Sequence, residues 1–235
     1  MNAVSLDGPS GRAPLLVARD LAGRRGGRLI FRALSFALRP GDAMLLTGPN
    51  GSGKSSLLRV LAGLSSPLSG GLEWDGAAIA HDTAGHRARL HFVGHHDAVK
   101  PVLTAVEMLS FWVALRESGP PRQQEAKARA ALERLGLGHL ALSPCRLLSA
   151  GQKRRLSLAR LFAGHAPLWL LDEPMNGLDA VGVRLLEDGI CAHRKAGGII
   201  IAATHTPILA ERSTLLCPAD YAPCRQEAAL EWSQA

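Results

Sequence analysis

The first candidate for chemistry is the stretch 48–56, which fits the pattern G-x-x-x-x-G-K-[ST] of a phosphate-binding loop. Its glycines let backbone N–H groups curl around an anion, because no Cβ atom interferes. Lys54 is expected to reach the β- and γ-phosphates of a nucleoside triphosphate, and the Ser55 hydroxyl to coordinate Mg²⁺. The residues predicted to contact the nucleotide here are Gly48, Pro49, Asn50, Gly51, Ser52, Gly53, Lys54, Ser55 and Ser56.

Two adjacent carboxylates, Asp172 and Glu173, form the second candidate. They close the apolar run 168–172, whose continuous hydrophobicity is typical of a parallel strand buried on both faces. The carboxyl ends of such strands form the edge at which α/β sheets bind ligands. Asp172 is suited there to hold Mg²⁺, and Glu173 to act as general base toward an attacking water. The alternative is that both carboxylates only cap the following helix.

The elements that must position these groups can be recognised around them. The apolar run 43–47 predicts a strand that enters the phosphate-binding loop, and the helical spacing that follows predicts a helix over 54–64. The loop therefore ends at a helix N-terminus, where the helix dipole favours a phosphate. A helix is predicted over 180–196 and a further buried strand over 198–204. Together these elements predict an α/β core.

The segments before and after the loop are less regular. Short alternating runs over 15–38, broken by a turn rich in Gly and Arg, predict antiparallel strands. A further short strand is predicted over 71–75. Residues 81–100 are polar and rich in His, and predict only a strand over 90–94.

Residues 101–148 contain no predicted strand and are expected to form a helical lobe. Its first helix begins with Thr104 as N-cap and Glu107 three residues later, which is the pattern of a capping box. The chain is thus predicted to begin with a disordered leader over 1–13 and to form a nucleotide-binding core with a β subdomain over 14–100 and 149–218. The helical subdomain over 101–148 has helices over 104–115 and 123–135 and packs with a helix over 149–164. The C-terminal segment over 219–235 is unassigned.

Length and composition limit the classes of protein. A chain of 235 residues with 47% hydrophobic content can form one large domain, or a core with a smaller lobe. No apolar run reaches the roughly 20 residues of a membrane-spanning helix, and residues 1–13 lack the apolar region of a signal peptide. The four cysteines show no metal or redox spacing, and unpaired thiols suit a reducing compartment.

The net charge of +7 is compatible with binding to nucleic acid or to an anionic membrane. The arginines are scattered, however, apart from short basic groups at 24–25 and 153–155. One Tyr and five Phe also provide few surfaces on which bases could stack. We interpret the excess charge mainly as solvated surface and expect no nucleic-acid partner.

With the stretch 148–152, Leu-Ser-Ala-Gly-Gln, the chain resembles the ATP-binding-cassette ATPases, whose signature motif is L-S-G-G-Q. The resemblance implies a P-loop NTPase core with an antiparallel β subdomain and an inserted helical subdomain, within the α/β class. It also implies that Ser149, Gly151 and Gln152 contact the γ-phosphate of ATP held by a second copy of the chain. The start of a helix at Ser149 suits an anion.

Further motifs of the family follow in order. The stretch 176–179 resembles the loop that passes between two ATP sites, and His205 resembles the switch histidine that contacts the γ-phosphate. The resemblance thus makes Lys54, Glu173 and His205 the catalytic set, with ATP and Mg²⁺ as cofactors. These intact residues argue against a nucleotide-binding module that does not hydrolyse ATP.

Two positions depart from the family pattern. The loop after strand 90–94 usually carries a Gln that senses Mg²⁺. Here either His95 or His96 replaces it, or the sensing of Mg²⁺ is altered. His95 is therefore a candidate metal ligand beside Ser55 and Asp172. The aromatic residue that stacks on adenine also has no counterpart. Arg25 falls near its place, and a guanidinium plane can stack on a base.

Three stretches, 94–104, 148–155 and 167–174, resemble one subfamily, the ATP-binding subunits of the haem exporters of cytochrome c maturation. This implies a peripheral ATPase at the cytoplasmic face of the inner membrane, paired with a second copy and an integral membrane subunit. Haem export and release of a haem-loaded chaperone both remain open as the energised step. A transporter of a different small substrate also remains open, as does a soluble cassette ATPase, although the soluble proteins usually have two cassettes or a coiled coil.

Overall fold

The computed structural model describes residues 15–204 and 213–223. Its strands are β1 (Leu16–Arg25), β2 (Arg28–Leu38), β3 (Ala43–Leu46), β4 (Ser69–Trp74), β5 (Ala77–Ala78), β6 (Leu90–Val93), β7 (Leu168–Asp172), β8 (Ile199–Ala203) and β9 (Thr214–Leu216). Its helices are α1 (Lys54–Leu61), α2 (Thr83–Ala88), α3 (Ala105–Ala114), α4 (Pro121–Arg134), α5 (Ala150–Ala163) and α6 (Ala180–Lys195). None of the helices in these two ranges has both the length and the hydrophobicity of a membrane span. The predicted leader, His205 and residues 224–235 lie outside the described residues.

A parallel sheet with the strand order β6-β7-β8-β3-β9 forms the centre of the fold. Its inner strands β7 and β8 are buried over their whole length, as predicted from their continuous apolar runs. Trp169 and Leu171 enter one hydrophobic cluster, whereas Leu168 and Leu170 enter another, because successive side chains point to opposite faces. The sheet is therefore the middle of three layers, and the predicted α/β class is confirmed.

The layer on one face combines an antiparallel sheet, in the order β2-β1-β4-β5, with α1. β1 and β2 form a hairpin in which Arg25 pairs with Arg28 across the turn. Gly26 and Gly27 of this turn have φ values of 56° and 81°, a left-handed conformation that glycine adopts without steric cost. Phe31 of β2 is fully buried in the cluster shared with α1. The hairpin is thereby fixed against the phosphate-binding loop.

The layer on the other face consists of α3, α4, α5 and α6. The capping box predicted for α3 is confirmed, since the Glu107 N–H donates to Thr104 Oγ1 at 3.3 Å and the Thr104 N–H donates to Glu107 Oε2 at 2.7 Å. The Thr104 N–H and the Thr104 hydroxyl both donate to the Glu107 carboxylate, which favours its ionised form and lowers the pKa of Glu107. α4 begins at Pro121, earlier than predicted, because proline fits the first position of a helix.

The prediction of a single strand within 81–100 was incomplete, because α2 precedes that strand. Asp82 caps this helix by accepting a hydrogen bond from the Gly85 N–H at 2.8 Å. Only His86 of its six residues is buried, so the helix has no apolar periodicity that the sequence could reveal. β5 and β9, of two and three residues, are likewise too short to give a periodic signal.

β6 lies at an edge of the parallel sheet, and two arginines bind its outer carbonyl groups. Arg116 donates to the carbonyl oxygen of Ala88 at 3.1 Å and also to that of Leu90. Arg160 of α5 donates to the carbonyl oxygen of Phe92. Burial, followed by repulsion from the neighbouring Arg116, lowers the pKa of Arg160 to about 10. These arginines occupy backbone acceptors that an edge strand would otherwise leave open.

His91 of β6 is buried in the same region, with a relative exposure of 3%. Its Nε2 lies 3.1 Å from the carbonyl oxygen of Gly164. Burial, followed by repulsion from Arg116 and Arg160, lowers the pKa of His91 from 6.5 to about 3. The folded protein therefore holds this imidazole in its neutral form over most of the acidic range.

This shift predicts a pH dependence of stability. The unfolded chain binds a proton at His91 near pH 6.5, whereas the folded chain binds it near pH 3, so stability is full above the first value and declines below it. Between about pH 7 and about pH 5, the free energy of unfolding should fall by about 2 kcal/mol more in the wild type than in His91→Gln. Urea unfolding at both pH values measures the difference. An equal loss of unfolding free energy between the two pH values in both proteins would contradict the lowered pKa of His91.

Candidate active site

The phosphate-binding loop joins β3 to α1, as predicted. Gly48, Gly51 and Gly53 have φ values of 112°, 84° and 97°, which side chains with a Cβ rarely adopt. A Cβ on Gly53 would lie 2.4 Å from Cγ2 of Ile30, so the β1–β2 hairpin approaches the loop closely. The glycines are therefore required both by the curl of the loop and by its contact with the hairpin.

Lys54 is the first residue of α1 and is 8% exposed. Its Nζ donates hydrogen bonds to the carbonyl oxygens of Gly48 at 2.7 Å and Pro49 at 3.1 Å. The ammonium group is thus folded back over the start of the loop. In this position a nearly buried cation is available to the phosphates that the loop would surround.

A cavity of about 390 Å³ lies over the loop. It brings together most of the loop, both carboxylates at the end of β7, His95 and Arg25 at the end of β1. The predicted loop residues Gly48, Pro49 and Ser52 are not part of its lining. His96 is not part of the lining, and its ring lies edge-on to that of His95 at 5.4 Å between centroids. The lining residues are Arg25, Ile30, Asn50, Gly51, Gly53, Lys54, Ser55, Ser56, His95, Asp172, Glu173 and Asn176.

The two carboxylates occupy different environments at the end of β7. Asp172 is the last residue of the strand and is 7% exposed. Glu173 is more accessible and has a φ of 48°. A left-handed backbone at a residue other than glycine costs about 1 kcal/mol or more and is retained where surrounding contacts hold it. The strand end therefore presents one buried and one accessible carboxylate to the cavity.

The donor atoms in the cavity fit Mg²⁺. Ser55 offers a hydroxyl oxygen and Asp172 a carboxylate oxygen, and Mg²⁺ is usually held by one or two such groups together with phosphates and waters. Within residues 15–204 and 213–223, no cluster of three or more His, Cys, Asp or Glu side chains could hold a metal by itself. Mg²⁺ held by so few protein groups usually takes its other ligands from nucleotide phosphates and waters.

The signature residues lie away from this cavity. Ser149 caps α5 in a second capping box, since the Gln152 N–H donates to Ser149 Oγ at 3.2 Å and the Ser149 N–H donates to Gln152 Oε1 at 2.9 Å. Ser149 is exposed, and neither it nor Gly151 contributes to the cavity lining. The chain thus presents this helix start at its surface and not toward its own phosphate-binding loop.

Two residues of the site were not recognised as such from the sequence. Ile30 gives no chemical signal, because an apolar residue in a strand is usually part of the core. Arg154 belongs to the basic group 153–155, whose charge favoured an interpretation as solvated surface. Arg154 is an exception to this general interpretation, because it is 4% exposed and donates to the carbonyl oxygen of Glu173. The helical spacing of α5 is the signal that places it on the buried face.

Comparisons with known proteins identify the family of this chain. The profile of the ABC transporter family matches residues 31–176, and the chain belongs to this family. Members of this family are ATP-binding ATPases, and this chain is one of them. The dimeric post-hydrolysis structure of the ATP-binding cassette MJ0796, bound to ADP and Pi, has the same fold, with a TM-score of 0.76 and 21% identity over 87% of this chain and 95% of that one.

Two similar relatives are both named cytochrome c biogenesis ATP-binding export protein CcmA. The protein of Paramagnetospirillum magneticum is 54% identical over 191 residues, which cover 81% of this chain and 88% of the relative. The protein of Rhodospirillum rubrum is 50% identical over 218 residues, which cover 92% of this chain and 91% of the relative.

Proposed function

We propose that this chain is the ATP-hydrolysing subunit of an ABC exporter complex that energises a haem-handling step in the biogenesis of c-type cytochromes. It would act at the cytoplasmic face of the inner membrane, paired with a second copy and an integral membrane subunit. The observation that carries the chemistry is the cavity that contains the phosphate-binding loop, Asp172 and Glu173. The names of the relatives, at 50% to 54% identity, support the biological process.

The cavity residues suggest a division of labour. Backbone N–H groups of the loop and Lys54 bind the phosphates of ATP, and Ser55 and Asp172 hold Mg²⁺. Bound Mg²⁺ neutralises charge on the phosphate oxygens. Glu173 accepts a proton from a water whose oxygen forms a bond to the γ-phosphorus. The bond between this phosphorus and the bridging oxygen of ADP breaks, and ADP and inorganic phosphate result.

The second copy would complete the site. Ser149 and Gly151 start a helix at the surface, where backbone N–H groups and the helix dipole attract an anion. The γ-phosphate of ATP bound to the partner provides such an anion. MJ0796, which shares the fold, was solved as a dimer with the hydrolysis products bound. Its dimeric state supports a dimer for this chain.

A groove beside the 94–100 loop is the surface that we assign to the membrane subunit. It has a volume of about 430 Å³ and is lined mainly by apolar side chains, including Phe111 and Trp112 of α3, together with the charged Asp97 and Lys100 of the loop. Phe111 is 52% exposed and lies beside Trp112 in this groove, so the exposed apolar surface is not an isolated side chain. An apolar segment of a partner could cover this side chain.

Copurification from native membranes tests the proposal. The tagged chain should retain an integral membrane protein and should restore c-type cytochromes, detected by haem staining, in a strain that lacks its own subunit. Phe111→Lys should lose both activities while nucleotide binding persists. Leu215→Lys is the matched control, because Leu215 is 63% exposed in β9 at the opposite edge of the sheet. Retention of the membrane protein by Phe111→Lys would refute the assignment of the groove, and rescue without any membrane partner would refute the complex.

A further inference from the structure

Arg154 connects two parts of the active site through one guanidinium group. It lies in α5, and its side chain is 5% exposed. Nη1 donates to the carbonyl oxygen of Gly94 at 3.2 Å and to Asp97 Oδ1 at 3.1 Å. Nη2 donates to the carbonyl oxygens of Asp172 at 3.4 Å and Glu173 at 2.6 Å. The end of β7 and the loop after β6 are therefore held by the same planar group.

The backbone at Glu173 is the part of the site that most needs such support. Its φ of 48° is a conformation that must be held by neighbouring contacts. The Glu173 N–H donates to the carbonyl oxygen of Ala203 at 2.8 Å, and its carbonyl oxygen accepts the Asn176 N–H at 3.2 Å. The bond from Arg154 to this carbonyl is shorter and comes from a charged donor. Rotation of this peptide would redirect the Glu173 side chain.

The same arginine flanks His95. Gly94 and Asp97, its partners in the loop after β6, lie on either side of this histidine, which lines the nucleotide cavity. A displacement of this loop would therefore pull on the group that supports Glu173. Two catalytic elements that are distant in the sequence thus share one support.

We propose that Arg154 is a positioning residue for hydrolysis, which holds the backbone of Glu173 in its left-handed conformation and couples it to the loop that carries His95. The inference rests on the proposed role of Glu173 as general base. Arg154 is not among the residues that line the nucleotide cavity, so its removal should affect turnover and not nucleotide binding.

The variant Arg154→Met preserves approximate length and removes all donors. We expect kcat for ATP to fall about tenfold to hundredfold, as for other small displacements of a catalytic group. KM and the Kd for ATP should stay within about twofold of wild type. In a Glu173→Gln background, single-turnover hydrolysis should be the same with or without Arg154→Met, because a residue that acts through a carboxylate has no effect once that carboxylate is lost.

The matched control is Arg160→Met, which removes another nearly buried guanidinium of α5 that binds β6 and not Glu173. It should lower the melting temperature but leave kcat close to wild type. Equal losses of kcat in both variants, or an equal factor in both backgrounds, would show a general structural role and overturn the proposal. If Arg154→Met does not fold, hydrolysis by Arg154→Lys is measured in the same two backgrounds, because one ammonium cannot replace both branches of the guanidinium.

These measurements need only the purified chain and ATP, so they are independent of the membrane partner and of cytochrome biogenesis. Glu173→Gln alone tests the general base. If it hydrolysed ATP at the wild-type rate, both the base assignment and the role of Arg154 would be overturned. Loss of the membrane partner in copurification would leave the result for Arg154 unchanged.

Discussion

Lys54→Ala should reduce ATP hydrolysis about 10²-fold to 10³-fold, which is the usual cost of removing a preorganised donor from a developing negative charge. The ammonium group already lies over the loop, where it contacts the carbonyl oxygens of Gly48 and Pro49. Without it, the phosphates meet the loop's N–H groups but no fixed cation, so binding should weaken as well. Phosphate release by the purified protein and equilibrium binding of labelled ATP measure the two effects.

Lys195→Ala is the control, because Lys195 is exposed in the last turn of α6. This variant should match the wild type in both assays. A Lys54→Ala protein that is folded and hydrolyses ATP at the wild-type rate would disprove the assignment of the loop.

Glu173→Gln should reduce hydrolysis about 10²-fold to 10⁴-fold, because the amide cannot take the proton of the attacking water. The amide keeps nearly the same shape, so ATP should still bind. If the Ser149 end of α5 contacts the γ-phosphate of a partner's ATP, this variant accumulates the ATP-bound dimer that hydrolysis would normally dissolve. Size-exclusion chromatography should therefore show a dimer in ATP and a monomer in ADP.

A second substitution separates the dimer interface from nucleotide binding. Adding Ser149→Arg places bulk and charge at the start of α5, and should prevent the dimer while ATP binding persists. Glu187→Gln is the matched control for the amide change, because Glu187 is exposed in α6. Should Glu173→Gln remain monomeric in saturating ATP, both alone and with its membrane partner, the shared-site mechanism fails.

The sequence specified the phosphate-binding loop and its flanking elements because local chemistry dictates them. Residue type at fixed spacing accounts for the glycines with positive φ, for the buried runs of β7 and β8, and for the capping boxes at Thr104 and Ser149. Each of these features can be recognised from a single segment, because the residues that define it lie close together in the sequence.

Features that depend on distant contacts could not be recognised in that way. The approach of Ile30 to Gly53 follows from the packing of the hairpin against α1. The burial of Arg154 depends on acceptors at Gly94 and Glu173, 60 and 19 positions away along the chain. The charge of Arg154 favours a position in solvent, but its hydrogen bonds to distant acceptors hold it in the interior.

The arginines along β6 have a further consequence for the chain before it is assembled. A sheet edge with open carbonyl groups can accept a strand from another molecule and so start aggregation. Arg116 and Arg160 already bind the outward carbonyl oxygens of Leu90 and Phe92, so an incoming strand would have to displace charged donors from both. Newly synthesised copies of the chain are thereby protected from polymerising through this edge.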